Sequence, residues 1–419
     1  MGDIYSSAEL TLIAVAGANS AYGLPGVGRD RKHLGHDVTI GRLRFVTTYA
    51  WDVGEIYHSV WSSRAWTFQE GYVSRRRLYF TDTRLIYISD EGLYCDAETG
   101  SKQILRSNLG RLSDSLKSLQ WGLGKGILRE YTRRKLTFDS DALNGIVGVL
   151  NTFTKAKSPI FHTWGVTFGD LSSIFASPLL AITLNWFHDQ PCLRRKAFPS
   201  WSPLGWEGVV DYGDRPSPVI SQSFQVEVWD NSEFIQLSKI KEDPHQRAGA
   251  ESLEKSRYLK ITAKLSWVEV RYFSASELLS IDKSSVVSDE VPYLVEPRAG
   301  FHVRVSTGED VEVYANMLPW WDSEPDLSLD LIRIPCALIP EDDEARSMVV
   351  MLLRNHGTHY ERIGHFEYLQ TYAGMYNFLF KDNNGALTLE KVLEDLDSYS
   401  DEEIARDFNN PEMQTFLLG

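Results

Sequence analysis

The sequence is poor in cysteine, in positive charge and in long apolar runs, and each shortage excludes a class of protein. The 419 residues include three cysteines, Cys95, Cys192 and Cys336, which are far apart and lack CxxC spacing. This spacing argues against a disulfide framework and against a cysteine-based zinc site. The net charge of −14 argues against a dedicated nucleic-acid binder, because phosphate contacts need a surplus of Lys and Arg. The most apolar run, residues 171–187, is too interrupted by polar residues and proline to predict a membrane span.

The sequence also has no signal-peptide pattern and no histidine cluster suited to a metal. Its first residues do not form the charged, apolar and cleavage regions of a secretory signal, so we expect a cytoplasmic protein. The closest histidine pairs, His33/His36 and His356/His359, lack the cysteine and carboxylate neighbours that are typical of zinc sites. We therefore expect no metal.

Aromatic residues, in contrast, are plentiful. The chain contains 12 Trp, 19 Tyr and 19 Phe, and 43% of its residues are hydrophobic. These side chains are enough to fill well-packed cores, which argues against disorder throughout the chain. Because 419 residues exceed what one ordinary core holds, we expect two or three folding units.

The first hundred residues follow the pattern of an α/β unit. Residues 3–8 read as the end of a helix, and residues 10–16 (LTLIAVA) are typical of a strand buried on both faces. Ser62 or Ser63 is the predicted cap of a helix that continues through Trp66 and Glu70 to about Val73. Two short strands are predicted over residues 77–81 and 84–89. This order predicts a partly parallel sheet.

The pattern changes twice along the rest of the chain. Leucines spaced by three and four residues predict a helix over 105–119, and residues 139–153 predict another. After about residue 195 the sequence predicts strands over 224–229, 258–272, 301–305, 311–314, 331–339 and 348–354. Residues 387–408 predict an acidic helix. We therefore expect a partial α/β domain at 1–100, a helical region at 101–195, a β-rich domain at 196–385 and an acidic helical tail at 386–419, which is α+β overall.

The segment RAWTFQE, residues 64–70, is the strongest candidate for chemistry. A continuous helix would place Trp66 and Glu70 on one face, one turn apart. A carboxylate beside an aromatic ring is partly shielded from water, which raises its pKa. Such a carboxylate can stabilise an oxocarbenium-like centre or act as a nucleophile at a sugar carbon. The alternative is that Trp66 anchors the helix to the sheet and Glu70 is solvated, since such pairs are common on helices.

Several segments resemble the later motifs of the fungal heterokaryon-incompatibility (HET) domain in order and spacing. They are the run from Ile4-Tyr5 to Ile13-Ala14, then Gly23-Leu24-Pro25-Gly26, then RAWTFQE at 64–70. Segments that commonly follow this domain are matched by residues 136–143, 198–208 and 360–364. The resemblance therefore extends over most of the chain, and the RAWTFQE segment is its most specific part.

The resemblance implies a role in fungal nonself recognition and programmed cell death. HET domains are distantly related to TIR domains, several of which cleave NAD at the nicotinamide–ribose bond with a glutamate four residues after a Trp. Glu70 would then be the catalytic residue, and Trp66, Arg64 and Gln69 would bind substrate. NAD would be a substrate and no cofactor is implied. The implied partners are other signalling proteins or further copies of the chain.

The sequence also departs from the family. The opening YxALSYxWG-type strand and the later Asp-x-x-Cys-Ile-x-Gln segment do not occur, which predicts an N-terminally truncated HET domain. The alternative function is therefore a catalytically inactive interaction or scaffold protein derived from such a domain. A carbohydrate-active enzyme built on the β-rich region is less favoured, because no carboxylate pair stands out there.

Overall fold

The fold consists of two compact units, Met1–Phe161 and His162–Gly419. The computed structural model describes residues 2–32, 37–46, 54–95, 125–154, 159–170, 180–212, 217–229, 233–242, 257–279, 300–307, 311–315, 319–323, 331–340, 347–369, 377–382, 387–391, 408 and 411–419. Helices and many strands occur together, with strands dominating the C-terminal part, so the predicted α+β class is confirmed.

The first unit combines short helices with a small sheet. Its helices are α1 (Gly2–Ser7), α2 (Gly54–Tyr57), α3 (Val60–Ser63), α4 (Thr67–Val73), α5 (Lys125–Thr132) and α6 (Asn144–Phe153). Its strands are β1 (Thr11–Ala14), β2 (Asp37–Ile40), β3 (Leu43–Val46), β4 (Arg77–Phe80), β5 (Leu85–Ser89) and β6 (Gly92–Cys95). The predicted helix end over 3–8 and the strands predicted over 10–16, 77–81 and 84–89 are all present.

The main sheet of this unit has the strand order β1-β4-β5-β6. Strands β1 and β4 pair in parallel, with Thr11 opposite Arg77 and Ala14 opposite Phe80, whereas β5 and β6 follow as antiparallel hairpins. The prediction of a partly parallel sheet is therefore confirmed. The prediction that this strand is buried on both faces is wrong: alternate residues of β1 are buried and the others are exposed, so one face contributes to the core.

The prediction of one continuous helix from Ser62 or Ser63 to about Val73 is wrong, because the chain forms two separate helices there. The chain forms α3, capped by Ser59, and then leaves helical geometry at Arg64, whose φ and ψ are −91° and 134°. Main-chain hydrogen bonds explain the break: Ala65 N donates to Lys135 O at 2.9 Å, and Lys135 N donates to Ser63 O at 2.7 Å. The hydrogen bonds of these peptide groups are therefore made with residues outside the helix, and α4 starts at Thr67.

The helices of residues 125–153 belong to the first unit. The helix predicted over 139–153 forms as a short 3₁₀ turn, Asp139–Asp141, followed by α6. Ile146, Leu150 and Phe153, which the periodicity placed on one face, are buried, and Val149 is buried as well. The helix predicted over 105–119 lies outside the described residues. The helical region predicted over 101–195 turns to strand at Ile160–Thr163, because the buried segments there pair into a sheet.

Strands make up most of the second part of the chain. A three-stranded sheet contains β7 (Ile160–Thr163), β8 (Val166–Asp170) and β9 (Leu180–Ile182), and a two-stranded sheet contains β10 (Leu193–Arg194) and β11 (Trp206–Glu207). The large sheet contains β12 (Gln225–Trp229), β13 (Phe234–Gln236), β14 (Leu259–Phe273), β15 (Gly300–Thr307), β16 (Val311–Ala315), β17 (Trp320–Trp321), β18 (Leu331–Pro340), β19 (Ser347–Asn355), β20 (Tyr360–Leu369), β21 (Asn377–Asp382), β22 (Leu387–Lys391) and β23 (Glu412–Leu418). Two short helices, α7 (Leu237–Glu242) and α8 (Ala275–Leu279), complete the unit. All six strands predicted between residues 224 and 354 are present.

The long strand β14 organises this unit. It pairs with β12, β15, β18 and β23, and β23 also meets β20 through the pair Tyr360 and Leu418. The pairings β14-β18-β19-β20-β23-β14 therefore close a ring. Its core is formed by buried apolar side chains such as Val270, Leu338 and Val350.

The acidic helical tail predicted over 386–419 is wrong for Leu387–Lys391 and for Glu412–Leu418. Leu387–Lys391 form β22 and pair with β21, and Glu412–Leu418 form β23 and pair with β14, so the sheet provides the backbone hydrogen bonds that a helix would otherwise make. Residues 392–407 lie outside the described residues.

A buried arginine connects the segments of the second unit that the sequence singled out. Arg362, in β20, and Asp322 are both fully buried, and Nε of Arg362 donates to Oδ2 of Asp322 at 2.9 Å. The guanidinium also donates to the carbonyl oxygen of Leu184 at 2.8 Å and stacks over the Trp186 ring at 3.5 Å. The main-chain N–H of Arg362 donates to Oγ of Ser200 at 2.9 Å. The 198–208 and 360–364 segments therefore contact each other in the core.

Candidate functional site

The RAWTFQE segment forms an extended link followed by a helix. Arg64 is extended, Trp66 precedes the first helical residue, and Thr67–Val73 forms α4. Thr67 Oγ1 donates to the carbonyl oxygen of Arg64 at 2.7 Å, which joins the link to the first turn of the helix. Glu70 therefore lies in the middle of a short, well-anchored helix.

The carboxylate of Glu70 has a tryptophan partner, and that partner is Trp61. The indole Nε1 of Trp61 donates to Oε2 of Glu70 at 3.1 Å. Glu70 is half-buried, and this burial raises the pKa of its carboxyl group above its ordinary value. The hydrogen bond from Trp61 and the charge of Arg64 act in the opposite direction, because both favour the ionised form. The combined effect of these contributions is a raised pKa of Glu70.

The position of Trp61 is fixed by two neighbours. Its ring packs edge-on against Tyr79 of β4, with the ring centroids 5.7 Å apart. It also covers Gly71 in α4: a Cβ atom on that glycine would lie 2.7 Å from Cη2 of Trp61. The indole is therefore held between the sheet and the helix, with its N–H group against the carboxylate of Glu70.

Two tyrosines belong to the same environment. Burial and the negative charge of Glu70 raise the pKa of Tyr5, in α1. Burial raises the pKa of Tyr79 as well, and Glu70 adds to that increase. Both phenols therefore remain protonated near neutral pH, where each O–H group is available as a hydrogen-bond donor.

Trp66, the residue predicted to lie beside Glu70, makes a different hydrogen bond. Its Nε1 donates to Oδ2 of Asp141 at 3.1 Å, and 39% of its surface is exposed. Asp141 belongs to the 3₁₀ turn before α6, so Trp66 connects the RAWTFQE segment to the helices that follow it.

Gln69 is buried and connects α4 to α6. Its Nε2 donates to the carbonyl oxygen of Asn144 at 2.6 Å, and only 2% of its surface is exposed. Gly148 leaves room for this side chain, since a Cβ there would lie 2.1 Å from Oε1 of Gln69. The contacts of Gln69 are those of a packing residue.

Arg64 is exposed, and its side chain influences Glu70 through charge. A second arginine lies deeper, on the other side of the helix start. Nη1 of Arg134 donates to Oγ1 of Thr67 at 3.3 Å, and its guanidinium lies 4.8 Å from the centre of the Phe68 ring. Burial lowers the pKa of Arg134, and the nearby Glu130 carboxylate counteracts this effect.

The structure thus brings Glu70 and Arg64 together, whereas Trp66 and Gln69 contact residues of 141–144. Sequence reasoning missed Trp61, Tyr5 and Tyr79. Tyr79 had a partial signal only, because it lies in a predicted strand, where both Tyr79 and Phe80 are buried. Trp61 had no such signal, because its approach to Glu70 depends on the break at Arg64.

A half-buried carboxylate held by an indole N–H is suited to stabilising a developing positive charge. Electrostatic interactions are stronger where water is partly excluded, and the hydrogen bond fixes one carboxylate oxygen. The same arrangement suits a nucleophilic carboxylate.

The described residues contain neither a metal-binding cluster nor a helix that could span a membrane. No group of three or more His, Cys, Asp and Glu side chains in this part of the chain has a geometry that could hold a metal ion. None of the described helices is both long enough and apolar enough to cross a membrane.

Comparison with known proteins gives one match. Residues 1–70 match the model of the family described as Heterokaryon incompatibility protein (HET). No curated protein and no solved structure matches the chain. The matched region contains α1, β1 and the first part of α4, and it ends at Glu70. The resemblance predicted from the sequence motifs is therefore confirmed over residues 1–70, which are similar to the HET family, and this similarity supports a heterokaryon-incompatibility-related role.

Proposed function

We propose that this protein acts in fungal nonself recognition and the associated cell death by hydrolysing NAD(P) at the nicotinamide–ribose bond, with Glu70 as the catalytic carboxylate. The observation that carries the proposal is the environment of Glu70, which is half-buried, has a raised pKa and accepts a hydrogen bond from Trp61. Trp61 lies beside Glu70, where the sequence pattern predicted Trp66. Arg64 is the remaining candidate for substrate binding at this site.

The proposed reaction needs one carboxylate and one water molecule. As the bond between C1′ of the ribose and N1 of nicotinamide breaks, its electron pair leaves with nicotinamide, which departs as a neutral molecule. The ionised carboxylate of Glu70 stabilises the positive charge that develops at C1′, or bonds to that carbon. Water then adds to C1′ and releases a proton; where Glu70 has bonded to that carbon, the new bond breaks as water attacks and its electron pair returns to the carboxylate. With NAD, the second product is ADP-ribose.

Release of nicotinamide from NAD by the purified full chain tests the proposal. Glu70→Gln keeps the shape and hydrogen-bonding capacity of the side chain and removes its charge, so we expect turnover to fall by roughly 10²-fold or more. Glu9→Gln is the matched control, because the side chain of Glu9 is 94% exposed and should leave turnover unchanged. Equal turnover by the wild type and Glu70→Gln would remove Glu70 from the mechanism.

A second candidate function, a non-catalytic interaction protein, is favoured by the hairpin of β2 and β3. Val38 lies opposite Phe45 and Ile40 lies opposite Leu43, so all four side chains share one face, and each is at least half exposed. Exposed apolar faces of this kind are typical of binding surfaces. Absence of nicotinamide release by the wild type, combined with an association that Ile40→Asp abolishes in sedimentation measurements, would favour this function.

A further inference from the structure

The carboxyl ends of the two parallel strands in the first unit lie side by side. Because Ala14 is opposite Phe80, the segments that follow, residues 15–32 and 81–84, leave the sheet at the same edge. In open α/β sheets, ligands commonly bind outside the carboxyl ends of the parallel strands. The two segments are in direct contact here, since Lys32 N donates to the carbonyl oxygen of Asp82 at 2.8 Å.

Asp82 organises the side chains at this edge. Its Oδ1 accepts a hydrogen bond from the Tyr22 hydroxyl at 2.5 Å, and its Oδ2 accepts one from Nζ of Lys32 at 2.8 Å. The interaction raises the pKa of Lys32 and lowers that of Asp82, so both groups are charged at neutral pH. An ammonium group has three donors, and Asp82 uses one of those of Lys32.

Tyr22 in turn positions an arginine. The guanidinium of Arg29 stacks 3.8 Å from the centre of the Tyr22 ring, and its Nη1 donates to the carbonyl oxygen of Tyr22. The ring of Tyr22 occupies the space that a Cβ on Gly17 would fill, and Gly17 has a φ of +78°. A stacked guanidinium keeps N–H donors along its edge, which suits it to bind phosphate oxygens.

The surrounding backbone is open to a ligand. Apart from the adjoining residues, no atom of the described part of the chain lies within 4 Å of the positions where a Cβ on Gly23 or Gly28 would be. Cations outnumber acids in residues 22–32 and 81–84, which contain Arg29, Arg31, Lys32 and Arg84 against Asp30 and Asp82. This local excess of positive charge contrasts with the net charge of −14 for the whole chain.

We infer that Arg29 and Lys32, held by Tyr22 and Asp82, form a binding site for the phosphate groups of a nucleotide at this edge of the sheet. Glycine-rich, cationic segments suit phosphates because they combine close backbone approach with charge-assisted hydrogen bonds. The choice of ADP-ribose as the nucleotide rests on the proposed function, whereas the residues of the site lie outside the environment of Glu70.

Equilibrium binding of ADP-ribose and of inorganic pyrophosphate to the full chain, measured by calorimetry, tests this site. We expect the wild type to bind ADP-ribose and expect Arg29→Gln and Lys32→Gln each to weaken binding about tenfold, because each removes a charge-assisted contact. Lys32→Arg, which keeps the charge, should retain most of the affinity. Arg76→Gln is the matched control, since Arg76 is an exposed arginine paired with Glu9.

The outcomes separate this site from the catalytic proposal. Unchanged affinity in both Gln variants, no binding by the wild type, or equal weakening by Arg76→Gln overturns the phosphate site, whether or not NAD is hydrolysed. Binding that depends on Arg29 and Lys32 supports the site even if Glu70→Gln and the wild type turn over NAD equally, a result that would defeat only the catalytic role of Glu70. Thermal unfolding of each variant verifies that it is folded.

Discussion

The indole of Trp61 and the carboxylate of Glu70 form a hydrogen bond of 3.1 Å between residues nine positions apart, in two different helices. A continuous helix would have given Glu70 the neighbour Trp66 instead. The chain leaves helical geometry at Arg64, and this break lets α3 fold back so that Trp61 covers α4 at Gly71. The candidate site is therefore a contact between two helices.

Replacing Trp61 should alter the ionisation of Glu70. The Trp61 hydrogen bond favours the carboxylate form, so Trp61→Phe should raise the pKa of Glu70 further. Carboxyl carbon chemical shifts followed by NMR titration measure this change. Trp66→Phe is the matched control. Because the Trp66 indole donates to Asp141, this substitution should leave the pKa of Glu70 unchanged. Equal changes in the pKa of Glu70 in the two variants would contradict the assignment of Trp61 as its hydrogen-bond partner.

Glu70 should make the first unit less stable as the pH rises. Because burial raises its pKa, the native state holds this proton more tightly than the unfolded chain does. The free energy of unfolding therefore falls as the pH rises from the ordinary value of 4.5 through the raised pKa. Glu70→Gln removes this dependence, so its gain in melting temperature over the wild type should be larger at pH 7 than at pH 4.

Melting curves at several pH values provide the measurement for this prediction. Glu9→Gln, which changes an exposed carboxylate, should give nearly the same small difference from the wild type at both pH values. A difference between Glu70→Gln and the wild type that does not vary with pH would show that the carboxyl group is as well solvated in the native state as in the unfolded chain.

Gly71→Ala should destabilise the protein although it raises helix propensity. A Cβ at this position would lie 2.7 Å from Cη2 of Trp61, so the indole has to move, and such overpacking costs about 1–3 kcal/mol. Gly126, in α5, is the matched control, because no atom lies within 4 Å of its Cβ position. Gly126→Ala should therefore stabilise by up to about 1 kcal/mol. Chemical denaturation measures both, and changes of the same sign would contradict the packing of Trp61 on Gly71.

Removing one partner of the buried ion pair should destabilise the second unit strongly. Arg362 and Asp322 have side chains with no exposed surface, so Asp322→Asn leaves a buried cation without its counter-charge. Such a loss typically costs about 3–5 kcal/mol. Arg76→Gln breaks an exposed pair with Glu9 and should cost less than about 1 kcal/mol. Comparable effects of the two substitutions on unfolding would contradict the burial of the Arg362 network.

Local patterns in the sequence were sufficient to predict most of the strands. The alternation of buried residues in β14 and the apolar runs of β18 and β19 depend on near neighbours in the sequence, so they are readable without a structure. The same local reading predicted helix for Leu387–Lys391, where pairing with β21 decides in favour of strand. Short segments follow tertiary partners when local preference is weak.

By itself, the sequence determined the α+β class, the parallel strand at 11–14 and the similarity of residues 1–70 to the HET family. Each of these depends on short contiguous patterns. Only the tertiary structure decided which tryptophan meets Glu70. That choice depends on hydrogen bonds between the main chain near Arg64 and Lys135, about seventy residues further along. A backbone contact between residues so far apart in the sequence produces no periodic pattern of residue types. It nevertheless ends the helix at Arg64 and so places Trp61 beside Glu70.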